Sequence, residues 1–174
     1  MSPVPEDQTL APWTELLETL QGSFTARARG FFASDFALLD PGGREVGRLR
    51  VHGPEGARLE AGSLAVGIEH TAPHRYAMLA CAAQILSAET ADSPDAMRIR
   101  YAERAYEAEL ALLRNTAEAL SPAGDSAARV TGGLTNRRYE VTFDAEDAVS
   151  LPVAVFLLYR LVALRRGAYR AGGG

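Results

Sequence analysis

The stretch Ser150-Leu-Pro-Val-Ala-Val-Phe-Leu-Leu-Tyr-Arg-Leu-Val-Ala-Leu164 decides the fold. Only Arg160 interrupts its apolar run, so a helix drawn through it is hydrophobic on every side and must be surrounded by other parts of the molecule. Ser150 is a good N-cap, and Pro152 is tolerated in a first helical turn. The residues 165–167, Arg-Arg-Gly, predict a cationic end to the helix. The pattern therefore predicts a helix at the centre of a core.

A membrane tail anchor is the alternative interpretation of this helix. At about 1.5 Å per residue the apolar part is roughly 21 Å long, whereas the hydrocarbon layer of a bilayer is about 30 Å thick. Arg160 would lie inside the span, where a charge costs about 2.5–3.5 kcal/mol. The length and the charge favour burial in a protein core, and no spanning segment is expected.

Composition indicates one soluble globular domain. The chain has 174 residues, 47% of them apolar, and a formal net charge of −4, which gives no electrostatic support for binding nucleic acid. Cys81 is the only cysteine, so an internal disulfide is excluded. The N-terminal sequence has neither the basic nor the apolar region of a signal peptide, and a cytoplasmic location is expected. We predict a flexible N-terminal tail over 1–11 and a single domain over 12–170.

The region before the long helix has the pattern of antiparallel β-structure. A short amphipathic helix is predicted after Pro12, ending before Gly22. Short apolar or alternating segments follow, separated by turn sequences such as Asp40-Pro-Gly-Gly43. The predicted strands are 24–29, 31–39, 46–51, 57–60, 64–70, 76–80, 84–88 and 138–143.

The segment Met97–Leu113 fits a helical stripe and an alternating strand equally well. An internal repeat favours strands. Residues 31–49 align without a gap on residues 112–130, and the alignment pairs Pro41 with Pro122 and Gly43 with Gly124. Because the first copy has the pattern of a hairpin, we predict a hairpin for the second copy and two related β-halves for the chain.

The repeated hairpin turns, the sequence Gly132-Gly-Leu-Thr-Asn-Arg-Arg-Tyr-Glu-Val-Thr-Phe143 and the closing hydrophobic helix resemble the tubby-like fold, in particular its LURP-one-related and phospholipid scramblase-like families. The resemblance covers about residues 22–167. It implies a mainly β protein, a closed antiparallel β-barrel of about twelve strands around a buried C-terminal hydrophobic helix. Lipid binding is a property of some members. The chain has no lysine for a tubby-like phosphoinositide site, no palmitoylation cluster and no calcium loop.

No motif predicts catalysis, a metal site or a cofactor. His70 and His74 have the spacing of zinc ligands on a helix, but Pro73 between them indicates a turn. Cys81 lies among alanines and is expected to be an inert thiol in a buried strand. The acidic side chains Glu103, Glu107 and Glu109 alternate as on the solvated face of a strand.

The remaining candidates for a site are local arginine clusters, because one guanidinium group can donate two parallel hydrogen bonds to the oxygens of a phosphate. They are Arg137 and Arg138 at a predicted turn, with Arg165, Arg166 and Arg170 beyond the helix. We expect a non-enzymatic domain that binds a small molecule, a lipid headgroup or a protein. A membrane-associated phospholipid-binding or scramblase-like protein is one alternative. An unrecognised hydrolase, with a cleft that gathers the histidines and acidic side chains, is the other.

Overall fold

The computed structural model describes residues 5–172, with side chains up to Gly167. Two short helices, α1 (Glu6–Leu10) and α2 (Thr14–Leu20), precede the strands and are joined by a 3-10 turn, Ala11–Trp13. One long helix, α3 (Ser150–Gly172), follows them. The strands are β1 (Ser23–Ala28), β2 (Asp35–Leu39), β3 (Glu45–Val51), β4 (Gly56–Ala61), β5 (Leu64–Ala72), β6 (Arg75–Ala80), β7 (Ala83–Thr90), β8 (Ala96–Tyr101), β9 (Arg104–Ala111), β10 (Thr116–Leu120), β11 (Ser126–Gly132) and β12 (Arg138–Phe143).

The twelve strands form a closed antiparallel barrel, which confirms the predicted fold class. Each strand pairs with its sequence neighbours, and β1 pairs with β12 to close the ring. Since the strands alternate in direction, the connections that follow odd-numbered strands lie at one end, which we call the upper rim. The other connections, α1, α2 and the chain leading to α3 lie at the lower rim. The closed ring leaves no free sheet edge.

Helix α3 fills the inside of the barrel. Every residue from Val149 to Ala163 is buried, on all sides of the helix. The helix contacts β10, β11 and β12, and three of the buried wall positions on β10 and β11 are the alanines Ala117, Ala119 and Ala128. Small side chains let the helix come close to this part of the wall without leaving cavities. The all-round apolar pattern of residues 151–164 thus has a direct physical cause.

Both ends of α3 differ in detail from the prediction. The helix begins at Ser150, but the Ser150 hydroxyl donates to the carbonyl oxygens of Asp144 and Asp147, both at 2.6 Å, instead of accepting from a helical N–H. The Asp147 carboxylate accepts from the Val149 N–H at 3.2 Å. At the other end the predicted stop at residues 165–167 is wrong, because the helix continues through them to Gly172. Glycine weakens a helix without ending it when no proline follows.

The N-terminal segment has more structure than the tail predicted for residues 1–11. Helix α1 lies within it, and residues 1–4 are outside the described part of the chain. The Thr9 hydroxyl is 2.6 Å from the Tyr101 phenol oxygen. The Glu6 carboxylate forms an ion pair with the Arg104 guanidinium, with 2.8 Å between oxygen and nitrogen. Arg104 also pairs with Asp147 at 2.8 Å. The segment is therefore tied to the lower rim at the point where the chain turns into the barrel.

The internal repeat corresponds to two hairpins with the same turn. In β2–β3 the Gly43 N–H donates to the Asp40 carbonyl, and in β10–β11 the Gly124 N–H donates to the Ser121 carbonyl, both at 2.9 Å. Each hairpin has a register shift at the equivalent leucine, Leu39 or Leu120. The copies are eight strands apart, however, and two six-strand halves would place them six apart. The repeat reflects local turn chemistry, and the interpretation as two halves is wrong.

The segment that was ambiguous in sequence, Met97–Leu113, forms β8, β9 and the following turn. The interpretation of Cys81 as a buried strand residue is wrong. Cys81 is exposed in the tight turn between β6 and β7, where Cys81 and Ala82 have φ values of 51° and 62°. A two-residue turn with positive φ normally carries glycine or asparagine, so this sequence gave no turn signal.

An ion pair on the β2–β3 wall predicts an acid-dependent loss of stability. Arg48 Nε donates to Asp35 Oδ1 at 2.6 Å, and this hydrogen bond lowers the pKa of Asp35 below its ordinary value of 3.8. A carboxyl whose pKa is lower in the folded state stabilises it above the unfolded pKa and loses that contribution as the pH falls through the folded pKa. We expect Asp35→Asn to reduce the free energy of unfolding at pH 7, and the reduction to decline as the pH falls through the folded-state pKa of Asp35.

Urea unfolding of the wild-type and Asp35→Asn proteins between pH 2 and pH 7 measures this difference. Arg48→Met is the matched control, because without the guanidinium the effect of Asp35→Asn at pH 7 should be much smaller. A difference that does not decline at all as the medium becomes acidic would contradict the assignment.

Candidate functional site

Three neighbouring loops of the upper rim carry apolar side chains that point into solvent. These are the tip of the β1–β2 loop (30–34), the β11–β12 loop (133–137) and the β9–β10 loop (112–115). They are adjacent because β1 lies beside β12 and β11 lies beside β10. We call their four apolar side chains the apolar arc. It consists of Phe31, Phe32, Leu113 and Leu134, which are 91%, 73%, 100% and 100% exposed. Apolar side chains with no packing role, gathered at one end of a domain, indicate a binding surface.

Hydrogen bonds tie these three loops to one another. Arg137 donates to the carbonyl oxygens of Gly30 at 2.8 Å and Phe31 at 3.3 Å, which joins the β11–β12 loop to the β1–β2 loop. The buried Asn115 side chain donates to the Gly133 carbonyl at 2.9 Å and to Asn136 Oδ1 at 3.0 Å. These hydrogen bonds fix the positions of the loops that carry the apolar arc.

Helix α3 reaches the same network from inside the barrel. Arg165 donates to the Leu112 carbonyl at 2.7 Å and to Asn136 Oδ1 at 3.0 Å. Close packing fixes this junction, since a Cβ on Gly132 would lie 2.0 Å from the Asn115 amide nitrogen. A side chain at position 132 would therefore displace the Asn115 amide from its hydrogen bonds with the β11–β12 loop.

The apolar arc is surrounded by positive charge. The loops 30–34, 112–115 and 133–137 contain no Asp or Glu, although the whole chain has a net charge of −4. Among the described residues no carboxylate lies within 4 Å of the guanidinium groups of Arg114, Arg137 or Arg165. The oxygens that accept from Arg137 and Arg165 belong to carbonyl and amide groups, so these hydrogen bonds bring no negative charge to either guanidinium. Arginines of the barrel wall, such as Arg98 and Arg129, are instead paired with glutamates.

A cleft opens between the β1–β2 and β11–β12 loops. It has a volume of about 570 Å³, and its lining includes Phe31, Phe32, Leu134 and Arg166. One guanidinium nitrogen of Arg166 donates to the Val51 carbonyl at 3.2 Å. Aromatic and aliphatic walls beside a cationic group suit an amphiphilic ligand with an acidic head.

The structure brings together three of the five arginines singled out in the sequence. Arg137, Arg165 and Arg166 meet at the upper rim, where they also hold loop carbonyls. Arg138 lies on the barrel wall, 3.6 Å from Glu140. Arg170 falls outside the residues whose side chains are described.

The other candidate residues are dispersed. His70 stacks on Tyr76 with 4.8 Å between ring centroids, and His74 Nδ1 is 2.9 Å from the Thr90 hydroxyl. Glu107 pairs with Arg98 on the solvated face of β9, as the alternation predicts. Within the described residues no group of three or more His, Cys, Asp or Glu side chains is arranged to hold a metal ion.

Sequence reasoning missed the apolar arc. The run 31–39 was predicted as one strand, but the strand begins at Asp35 and leaves the two phenylalanines in the loop. A usable signal was present at Leu134, a single large apolar residue between Gly132-Gly133 and Thr135-Asn136. An isolated leucine inside a turn sequence has no core to enter, and it therefore marks an exposed contact.

Comparison with known proteins supports the fold. No family model matches the chain, and no curated protein matches it. The X-ray structure of an Arabidopsis thaliana protein, AT5G01750, is similar, with a TM-score of 0.56 and 10% sequence identity over 82% of this chain and 93% of that chain. This similarity extends to the fold alone, and the tubby-like, LURP-one-related and scramblase-like names stay a resemblance. Among the described residues no helix, α3 included, combines the length and the hydropathy that a membrane span needs.

Proposed function

We propose that this chain is a non-enzymatic binding module that attaches to anionic membrane surfaces through the apolar arc of its upper rim. The observation that carries the proposal is the exposure of Phe31, Phe32, Leu113 and Leu134 on three adjacent loops. Full burial of such a side chain is worth about 1.5–3 kcal/mol, so partial insertion of four of them supports reversible attachment. Separate loop tips can enter a headgroup layer without a matching protein surface.

The charge around the arc supports the same partner. A basic residue near an anionic leaflet contributes about 1 kcal/mol, and Arg114, Arg137 and Arg165 lie in or against the three loops. Two contributions are therefore expected, one from apolar insertion and one from charge. Salt weakens only the second of them.

Flotation of the purified chain with liposomes tests this proposal. We expect binding to vesicles of phosphatidylcholine mixed with phosphatidylserine, and weaker binding to phosphatidylcholine alone. High salt should reduce binding to the anionic vesicles to the level of the neutral ones without abolishing it. Absence of binding to either kind of vesicle would refute the membrane proposal. The apolar arc would then be interpreted as a surface that binds a protein.

Two sets of variants separate the contributions. Phe31→Ser combined with Leu134→Ser should lower vesicle affinity at least about tenfold, because two side chains that insert are lost. Leu120→Ser is the matched control, since Leu120 is also an exposed leucine but ends β10 at the lower rim. Arg114→Glu should weaken binding to anionic vesicles only. Equal affinities for the rim variant and the Leu120 control would show that the apolar arc does not bind the membrane.

A further inference from the structure

Arg160 is the one charged side chain buried in the described part of the molecule. It is 3% exposed and lies in the helix that fills the barrel. Its Nε has no hydrogen-bond partner, and no carboxylate of the described residues lies within 4 Å of its guanidinium group. Removing a charge from water is costly unless an opposite charge compensates it. This arginine therefore differs from wall arginines such as Arg98 and Arg129, which have carboxylate partners.

The groups around Arg160 are neutral. The Tyr76 ring lies against the guanidinium, with 4.3 Å between Cζ and the ring centroid. The neighbouring phenol of Tyr159 donates to the Pro54 carbonyl at 3.2 Å, and burial raises its pKa to about 12, so it carries no charge at neutral pH. A cation–π contact offsets part of the lost hydration but leaves the positive charge in place. The environment lacks an anion.

The guanidinium lies close to the mouth of the barrel. Tyr76 pairs with His70 across β5 and β6, next to the β5–β6 turn of the upper rim, and His70 is exposed. Going round the ring of strands, the β5–β6 turn is opposite the β11–β12 loop. The surroundings of Arg160 are thus separate from the apolar arc.

We propose that Arg160 is the binding residue of a second site, at the β5–β6 side of the barrel mouth, which takes a single oxyanion group, either a carboxylate or a phosphate. The unused Nε–H of this guanidinium is a charged donor available to such a group. The low dielectric constant of the interior strengthens the pairing. The small exposed fraction of Arg160 restricts the ligand to one with a narrow acidic group. The site is independent of the proposed membrane attachment.

The test uses the full chain in solution without lipid. Sodium phosphate or sodium acetate is added at constant ionic strength, with chloride as the balancing ion. The NMR resonance of the Arg160 side-chain Nε–H, assigned through its contacts with the Tyr76 ring, and the midpoint of thermal unfolding are both followed. We expect a saturable shift of the resonance and a rise in the midpoint. A response to phosphate alone or to acetate alone identifies the source of the oxyanion.

Variants decide whether the effect belongs to Arg160. Arg160→Met should lose at least about tenfold in oxyanion affinity, because a charged hydrogen-bonding partner is removed. Arg75→Met, which removes an exposed arginine paired with Glu89 beside the same turn, should keep the wild-type affinity. If Arg160→Met does not fold, the proposal is tested by the wild-type protein alone, through the shift of the Arg160 Nε–H resonance on addition of the oxyanion. An unmoved Arg160 resonance, or equal oxyanion responses in both variants, would overturn the proposal.

Discussion

Leu158→Asp is expected to unfold the protein. Leu158 is fully buried in the middle of α3, and residues one helical turn away on either side are apolar. Replacing a buried leucine by a much smaller side chain costs about 2–5 kcal/mol, and burying an unpaired carboxylate adds several more. A domain of this size is stable by about 5–15 kcal/mol. The sum is enough to abolish the folded state at neutral pH.

Position 158 is a sharper test than the equally buried Phe156. An aspartate at 156 would lie four residues before Arg160, where a helix allows an ion pair. Leu158→Met is the control, because it conserves volume and should cost less than about 1.5 kcal/mol. Near-UV circular dichroism and thermal unfolding provide the measurement. A cooperative transition of Leu158→Asp close to that of the wild type would mean that α3 is not the core of the barrel.

Gly56→Ala is expected to be strongly destabilising although it adds only one methyl group to the wall. A Cβ on Gly56 would lie 2.2 Å from the carbonyl oxygen of Ile68, far inside van der Waals contact. That oxygen belongs to the backbone of β5, so β4 and β5 would have to move apart where Gly56 pairs with Glu69. The same displacement would disturb Pro54, whose carbonyl accepts from Tyr159 of α3. We expect a loss of about 2–4 kcal/mol in the free energy of unfolding.

Gly67→Ala is the matched control for this change. Gly67 lies on β5 next to Ile68, and a Cβ there would meet nothing within 4 Å. Its effect should stay within about 0.5 kcal/mol, as for other surface substitutions. Urea unfolding of the two variants measures both values. Similar losses for Gly56→Ala and Gly67→Ala would contradict the close approach of β4 and β5 at Gly56.

The sequence predicts this fold well wherever one physical pattern dominates. Strand β12 was predicted with its observed bounds, because Tyr139, Val141 and Phe143 alternate with polar residues. Helix α3 was recognisable as a core element, since no other segment is apolar on all sides. Both predictions rest on the energy of burying side chains, which composition and spacing express directly.

The predictions are wrong where the backbone conformation is not indicated by the residue types. Nothing in Cys81-Ala82 indicates a turn, yet tertiary structure imposes positive φ on both residues. The candidate site shows the same limit. The rim arginines 137, 165 and 166 were recognisable as cations, but their proximity depends on the order of strands in the barrel. The exposure of Phe31 and Leu113 depends on where each strand ends, the least predictable feature of a β-protein.

Closure of the ring by β1 and β12 has a consequence for how the chain folds. The first strand pairs with the last, residues Ser23–Arg27 against Arg138–Thr142, so over a hundred residues must be arranged before that ladder can form. The element that fills the interior, α3, comes later still in the sequence. Topologies dominated by such distant contacts fold slowly, and intermediates expose apolar surface meanwhile. During synthesis on the ribosome, the strands therefore emerge long before the helix that gives them a core, and this interval is when the chain is most exposed to aggregation.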